Sequence, residues 1–397
     1  MSQAGRPAPP GFLADPSLAA VLAALPDARV VGGAVRDWLA GRTVADIDLA
    51  TALPPEAVMA ALARAGLRAV PTGMDHGTVT ALSGGRGFEV TTLRRDVVTD
   101  GRHAVVEFTD DWRADAARRD FTINAMSLAR DGTVFDYFGG EADLAAGLVR
   151  FVGDPATRIA EDALRILRFF RFHARYGRGD PDAAALAAIR GGLAGLAILS
   201  AERVWSELSR ILLAPDPAGA VLLMAETGVL PAILPDGADP VALARLVSAG
   251  APADPVLRLA ALSTGAPDAV AARLRLSGAE REMLAALRAG GTPPPDADDA
   301  ALRRALADIP AAVLIGRAWL AGGADPAWAG LRARLASIPR PVFPLEGRDV
   351  LALGLPEGPR VGALLRQVRQ WWLEGGCVAD AAACRAESAR HVPVDRV

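Results

Sequence analysis

Polar and apolar positions keep two different rhythms along the chain. In the first third, the short apolar run 28–31 ends in Gly32-Gly33, and 34–39 reads as the start of a helix. Residues 46–50 (DIDLA) alternate as a strand does, and 54–65 is a helical stretch. Two strand-like runs, 78–82 and 88–93, are punctuated by Gly84, Gly85 and Gly87, which predicts a hairpin. Beyond about residue 155 the strand signals fade. Alanine- and leucine-rich helical patterns then continue to the end, with Pro and Gly breaks near 180, 215, 231–240 and 292–295. No repeat of fixed period occurs. The pattern predicts an α/β head followed by an extended all-α remainder.

Composition bounds this picture. A chain of 397 residues allows two to three domains at roughly 150 residues each. With 51% hydrophobic and 22% charged residues, a packed core is expected and wholesale disorder is excluded. No run approaches the ~18 apolar residues of a membrane span; 218–224 and 310–316 are typical of the longest, so no membrane partner is expected. The first eleven residues are Pro-rich and lack a basic segment followed by an apolar one, so no secretory signal is expected. Cys377 and Cys384 form no ligand-spaced pair, which predicts neither a disulfide framework nor a zinc site. A reducing, cytoplasmic compartment fits that reading.

Charge then narrows the function. A net charge of −3 argues against a protein that coats nucleic acid without specificity. Lysine is absent, so all 43 basic residues are arginine, a bias to which we attach no function. Their distribution matters more. Arg165, Arg168, Arg171, Arg175 and Arg178 stand against only Glu161 and Asp162, which suggests a specific polyanion site on an acidic protein.

Three motifs carry chemistry. Gly32-Gly33-Ala34-Val35-Arg36-Asp37 is followed by Asp46-Ile47-Asp48. Alternate strand residues share a face, so Asp46 and Asp48 point the same way. Such carboxylates repel unless a cation joins them, which makes a natural Mg²⁺ seat; the plainer alternative is an exposed strand pair beside a turn. The glycines permit close approach to phosphates, the following helix start offers N–H groups, and Arg36 offers a fork. The spacing does not match a dinucleotide-binding G-x-G-x-x-G. Farther on, Arg118-Arg119-Asp120-Phe121-Thr122-Ile123-Asn124-Ala125 heads an apolar stretch. Glu161-Asp162-Ala163-Leu164-Arg165-Ile166-Leu167-Arg168 then opens a helix, with Asp162 and Arg165 on one face. Its alternative is an intrahelical salt bridge. The polar segment 96–104 (DVVTDGRHA) reads as a loop or an ordinary hairpin connection.

Together these motifs resemble the polymerase-β nucleotidyltransferase superfamily, specifically the class II tRNA CCA-adding enzymes and bacterial poly(A) polymerases. The resemblance runs from Gly32 to about Leu213, including Ser200-Ala201-Glu202-Arg203-Val204-Trp205-Ser206-Glu207-Leu208, and is looser over 344–365. It implies an N-terminal extension (1–24), a nucleotidyltransferase head with a mixed sheet (25–152), and a helical neck (153–240), body (241–335) and tail (336–397). The active site would lie between head and neck. The resemblance implies Mg²⁺ on Asp46 and Asp48, the triphosphate near Gly33 and Arg36, and sugar and phosphate contacts from Arg119 and Asp120. Base contacts would fall on Asp162 and Arg165, with Arg168 and Arg171 lining the site. A third carboxylate is implied on a neighbouring strand; Glu89 is the candidate, an exposed strand glutamate the alternative. The implied substrates are CTP, ATP and a tRNA 3′-end, with tRNA gripped by the tail. Poly(A) synthesis, partial CC or A addition, and an inactive tRNA-binding protein remain alternatives. His103 belongs to the loop motif, while His76, His173 and His391 form no ligand set and are expected in packing or at the surface.

Overall fold

The computed structural model describes residues 10–99 and 104–392, and its strands all precede residue 136. They are β1 (Arg29–Val31), β2 (Asp48–Thr51), β3 (Arg68–Gly73), β4 (Thr78–Ser83), β5 (Arg86–Thr92), β6 (Arg94–Thr99), β7 (Ala104–Phe108), β8 (Ser127–Leu128) and β9 (Val134–Phe135). Seven form one mixed sheet in the order β3-β4-β5-β2-β1-β8-β9, in which β2 and β5 run parallel and the other pairs antiparallel. β6 and β7 form a separate hairpin. The β4–β5 connection is the expected glycine turn: Gly84 and Gly85 both take positive φ (55° and 78°), the geometry a tight right-twisted hairpin requires.

Several elements differ from their sequence patterns for identifiable reasons. The expected strand 46–50 begins only at Asp48, because β1 ends at Val31 opposite Asp48 and Gly32 (φ 65°) turns the chain away. Asp46 and Ile47 therefore have no ladder partner on that side, although their in-out alternation persists. β3 carries Pro71 and lies at the sheet edge, so its pattern does not alternate cleanly. The segment 96–104 is not one loop: 96–99 lie in β6 and Ala104 in β7, while 100–103, including His103, lie outside the described residues. The expected helix across 161–168 is broken, with Pro155–Glu161 and Leu164–Tyr176 separated at Asp162, whose backbone is extended (φ −155°, ψ 106°).

The chain divides into two compact units, Met1–Pro235 and Asp236–Val397. The expected head–neck border at 152/153 falls inside the first. Its core explains why: Phe121 packs on Phe151 (centroids 4.8 Å), Phe172 (5.3 Å) and Phe169 (6.3 Å), so one aromatic cluster joins residues before that border to the helix Leu164–Tyr176. His173 stacks on Phe169, as expected of a packing residue, and burial lowers its pKa. The second unit is helical. One of its cores gathers Leu302, Leu306, Leu314, Leu331 and Leu335, and another Val350, Leu364, Val368 and Trp372. The latter encloses Cys377 and Cys384 as free thiols.

Candidate active site

The sheet places three carboxylates in one field. Asp46 and Asp48 are exposed while Ile47 and Leu49 are buried, so the two aspartates share the open face. Leu49 pairs with Val90 across the parallel β2–β5 ladder, which sets Glu89 beside Asp48. Glu89 is likewise exposed between buried Phe88 and Val90. Asp48 has a raised pKa: crowding by the surrounding protein is the largest cause, like charge on Glu89 and Asp46 adds to it, and Arg119 opposes it. Among the described residues no three His, Cys, Asp or Glu side chains converge at ligating distance, so the carboxylates share a face without closing on a point. The donors are nevertheless all oxygens, and their repulsion is what a hard divalent cation relieves. The residues present fit Mg²⁺.

The opposite flank of Asp48 is cationic. Gly32 joins β1 to the seven-residue helix Gly33–Leu39, and a Cβ there would lie 3.0 Å from Arg119 Nη1. Glycine is required both for the positive φ and to let that guanidinium close on the backbone. Arg119 is oriented by Asp115, a buried carboxylate that also receives Arg118 Nε (3.0 Å) and Nη2 (2.9 Å). Arg36 donates from Nη1 to Asn124 Oδ1 (2.6 Å) and from Nε and Nη2 to Asp37 Oδ1 (3.0 and 2.9 Å). Its guanidinium also faces the Phe172 and Tyr176 rings, and Tyr176 donates its hydroxyl to Asp37. Three of its five N–H donors are thus engaged among the described residues. Gly33 lies beside it: a Cβ added to that glycine would stand 3.6 Å from Arg36 Nη2.

Asp120 is tied into the protein itself. It is buried, accepts from the Phe121 N–H and Asn124 Nδ2 (2.9 Å each) through one oxygen, and receives Arg168 Nε (2.8 Å) and Nη2 on the other. Burial alone would raise its pKa, but the Arg168 charge and these hydrogen bonds hold it below the usual carboxylate range. Asp120 therefore locks the segment 118–125 to the helix Leu164–Tyr176.

The helix break exposes the remaining pair. Asp162 accepts from the Leu164 N–H (3.0 Å) and from Arg203 Nη2 (2.8 Å). Arg165 donates from Nη1 to Arg158 O (2.9 Å) and Glu161 Oε2 (2.5 Å), and from Nη2 to Arg118 O (3.4 Å). Asp162 and Arg165 are thus not bridged to each other, although Arg165 does bridge Glu161 four residues before it. Each carboxylate oxygen of Asp162 keeps a lone pair, and Arg165 keeps two donors.

Sequence patterns missed the acids that hold the arginine row. Glu207 is buried; Arg171 Nε lies 2.7 Å from its Oε2, angled as an ion pair rather than a hydrogen bond, and Arg168 and Arg210 stand 3.8 Å from Oε1. Burial lowers the Arg171 pKa, with Glu207 opposing. The signal was present: Arg203 and Glu207, four apart on the helix Ala201–Leu212, meet Asp162 and the arginine row from one face.

With this geometry in place, the comparisons are specific. A family model described as the poly A polymerase head domain matches residues 28–150, and one described as a probable RNA and SrmB-binding site of polymerase A matches 180–239. The mouse protein named CCA tRNA nucleotidyltransferase 1, mitochondrial, is 38% identical over 363 residues, covering 88% of this chain and 83% of the relative. The chain belongs to the CCA tRNA nucleotidyltransferase family. A CCA-adding enzyme of Anoxybacillus flavithermus is 39% identical over 212 residues, 53% of this chain and 52% of the relative. Among solved structures, the Bacillus stearothermophilus CCA-adding enzyme in complex with CTP matches with a TM-score of 0.77 and 28% identity, covering 94% of this chain and 96% of that one. This membership accounts for the mixed-sheet head and the helical remainder. Among the described residues, no single helix is long and apolar enough to cross a membrane.

Proposed function

We propose that the chain completes or repairs the 3′-terminal CCA of tRNA from CTP and ATP, releasing pyrophosphate. The observation that carries this reading is the row Asp46, Asp48 and Glu89, flanked by Arg119, in a chain aligned to a CCA tRNA nucleotidyltransferase over most of its length. Joining a nucleotide to an RNA end is an in-line displacement: the RNA 3′-oxygen bonds to the α-phosphorus, the bond to pyrophosphate breaks, and the hydroxyl proton leaves. Mg²⁺ held by Asp46 and Asp48, with Glu89 beside them, would polarise phosphate oxygens and neutralise charge on the leaving pyrophosphate. Arg119 takes phosphate charge on the β1 flank, and Arg36 stands beside Gly33 to take more. Asp120 and Glu207 serve by fixing Arg168 and Arg171 where they line the nucleotide site.

Base choice follows from Asp162 and Arg165. Cytosine and adenine each present an amino donor beside a ring-nitrogen acceptor; uracil and guanine present a carbonyl beside a ring N–H. A carboxylate accepts and a guanidinium donates, so the pair complements C and A and mismatches U and G twice. Each buried mismatch costs about 1–3 kcal/mol. Arg203 and Glu161 hold the two side chains apart at the helix break, supporting this use.

We also assign a head over 25–152, a neck over 153–240, a body over 241–335 and a tRNA-gripping tail over 336–397. In the tail, Arg360 and Arg366 are exposed, with no acid partner among the described residues, on the helix Pro359–Glu374 that follows Gly358. A cytoplasmic location belongs to this proposal as well; the mammalian relatives carry a mitochondrial name. The test offers CTP or ATP to tRNA transcripts lacking three, two or one terminal nucleotides, resolved on a sequencing gel. Two C additions followed by one A support the reading. Unlimited A addition would indicate poly(A) synthesis, and arrest after CC or A alone a partial enzyme.

A further inference from the structure

The sheet register fixes which flank of the carboxylates faces which reactant. On one side of Asp48 stand β1, the Gly32-Gly33 turn and Arg119; on the other stand Glu89, β4 and β3. In-line displacement puts nucleophile and leaving group on opposite sides of the α-phosphorus. If the cationic β1 flank holds the pyrophosphate side of the nucleotide, the RNA 3′-end must enter over β5, β4 and β3. That step rests on the CCA-adding reading above.

The entry side carries a row of hydroxyls that no charge chemistry explains. Thr80 pairs directly with Glu89 across the antiparallel β4–β5 ladder, so both project from the same face. Thr72, on the edge strand β3, shares a hydrogen bond with Thr80 (Oγ1 to Oγ1, 2.9 Å) and thus stands on that face too. Thr72 and Glu89 are exposed and Thr80 is half-buried. With strands about 4.8 Å apart, the two hydroxyls lie roughly one and two strand spacings beyond Glu89. Of the pair, one hydroxyl donates to the other, so one proton and several lone pairs face solvent. Such groups suit a neutral partner that both donates and accepts. On an RNA end, that partner is the terminal ribose 2′-hydroxyl, next to the 3′-hydroxyl that reacts; it is also the group that separates RNA from DNA.

We propose that Thr80, supported by Thr72, is a positioning residue that binds the 2′-hydroxyl of the RNA's terminal ribose and so sets the 3′-hydroxyl beside Glu89. The test compares wild type, Thr80→Val, Thr72→Val and Thr80→Ser on two primers: tRNA lacking CCA, and the same tRNA ending in a 2′-deoxynucleotide that keeps its 3′-hydroxyl. Valine preserves shape and strand propensity while removing the hydroxyl. Thr80→Val should lower kcat/KM for the ribose-ended primer about tenfold, the worth of one hydrogen bond, and leave KM for CTP unchanged. On the deoxy-ended primer, wild type and Thr80→Val should coincide, with Thr80→Ser restoring the preference for ribose and Thr72→Val showing a smaller loss of it. Equal losses on both primers, or unchanged constants on both, would overturn the assignment. Failure of the functional reading is distinct: wild type itself would then add no CTP to either primer.

Discussion

The two charged regions of the first unit are built on opposite rules. On the sheet face, Asp46, Asp48 and Glu89 crowd like charges together in the open, and Arg119 offsets them only in part. On the helix Leu164–Tyr176, Arg165, Arg168 and Arg171 each meet an acid: Glu161, Asp120 and Glu207. Excess like charge is costly to stability and, on the proposed reading, would serve a cation and phosphates that arrive with the substrate. Compensated charge rigidifies and, on the same reading, would hold donors and acceptors at fixed positions for reading a base. Chemistry and selectivity should therefore fail separately.

The largest break comes on the sheet. Asp46→Ala or Asp48→Ala should lower nucleotide addition by about a thousandfold or more, with tRNA affinity little changed, as single-turnover rates and filter binding would record. Wild-type turnover by either variant would remove the metal assignment. Breaking the helix side should instead damage the fold. Glu207→Gln strips the acid from three neighbouring arginines, and unfolding by denaturant should show a loss of about 3 kcal/mol, typical of an opened buried ion pair. A loss within a few tenths would mean that solvent already screens those arginines. Neutralising Arg360 and Arg366 in the tail should flatten the salt dependence of tRNA binding by about one log unit per lost phosphate contact. An unchanged slope would assign the tail another role.

The smallest effect is in pH. Because the Asp48 pKa is raised in the metal-free protein, protons should compete with Mg²⁺ there, and activity at limiting Mg²⁺ should fall on acidification at a higher pH than an ordinary aspartate would give. Glu89→Gln removes a like charge and should move that acid limb of the residual activity downward. The sign for stability is opposite: ionised Asp48 opposes folding, so its contribution is fully present below the unfolded pKa and lost as pH rises through the folded one. Asp48→Asn should then be slightly more heat-stable than wild type at neutral pH. Asp120 behaves in the reverse sense, stabilising above its unfolded pKa and losing that contribution as pH falls through its lowered folded value.

What the sequence disclosed divides along the same line. The shared face of Asp46 and Asp48 was legible because strand alternation is local, while Glu89 was named only because the family resemblance implies a third carboxylate on a neighbouring strand. The Gly84-Gly85 hairpin was legible because its turn geometry belongs to its own residues. Asp120–Arg168 spans 48 positions and Arg203–Asp162 spans 41, and no local period encodes which acid meets which base. The buried pairing of Asp120 with Arg168 accordingly had no signal in the sequence. The break at Asp162 was hidden because Glu-Asp-Ala-Leu-Arg reads as continuous helix, whereas Asp162 is extended and its side chain accepts the Leu164 N–H at the start of the next helix. β3, β8 and β9 were missed because edge position or two-residue length leaves little alternation to read.

The separation of chemistry from base reading is tested most directly at Asp162. kcat/KM would be measured for CTP, ATP, UTP and GTP on tRNA lacking its CCA end, with wild type and Asp162→Ala side by side. Losing the acceptor for the amino group should shrink the preference for CTP over UTP and for ATP over GTP by about 1–3 kcal/mol, roughly ten- to a hundredfold. Nucleotide addition should persist, because Asp46, Asp48 and Glu89 are untouched. A CTP-to-UTP ratio equal to that of wild type would contradict the account and leave Asp162 as a helix cap paired to Arg203.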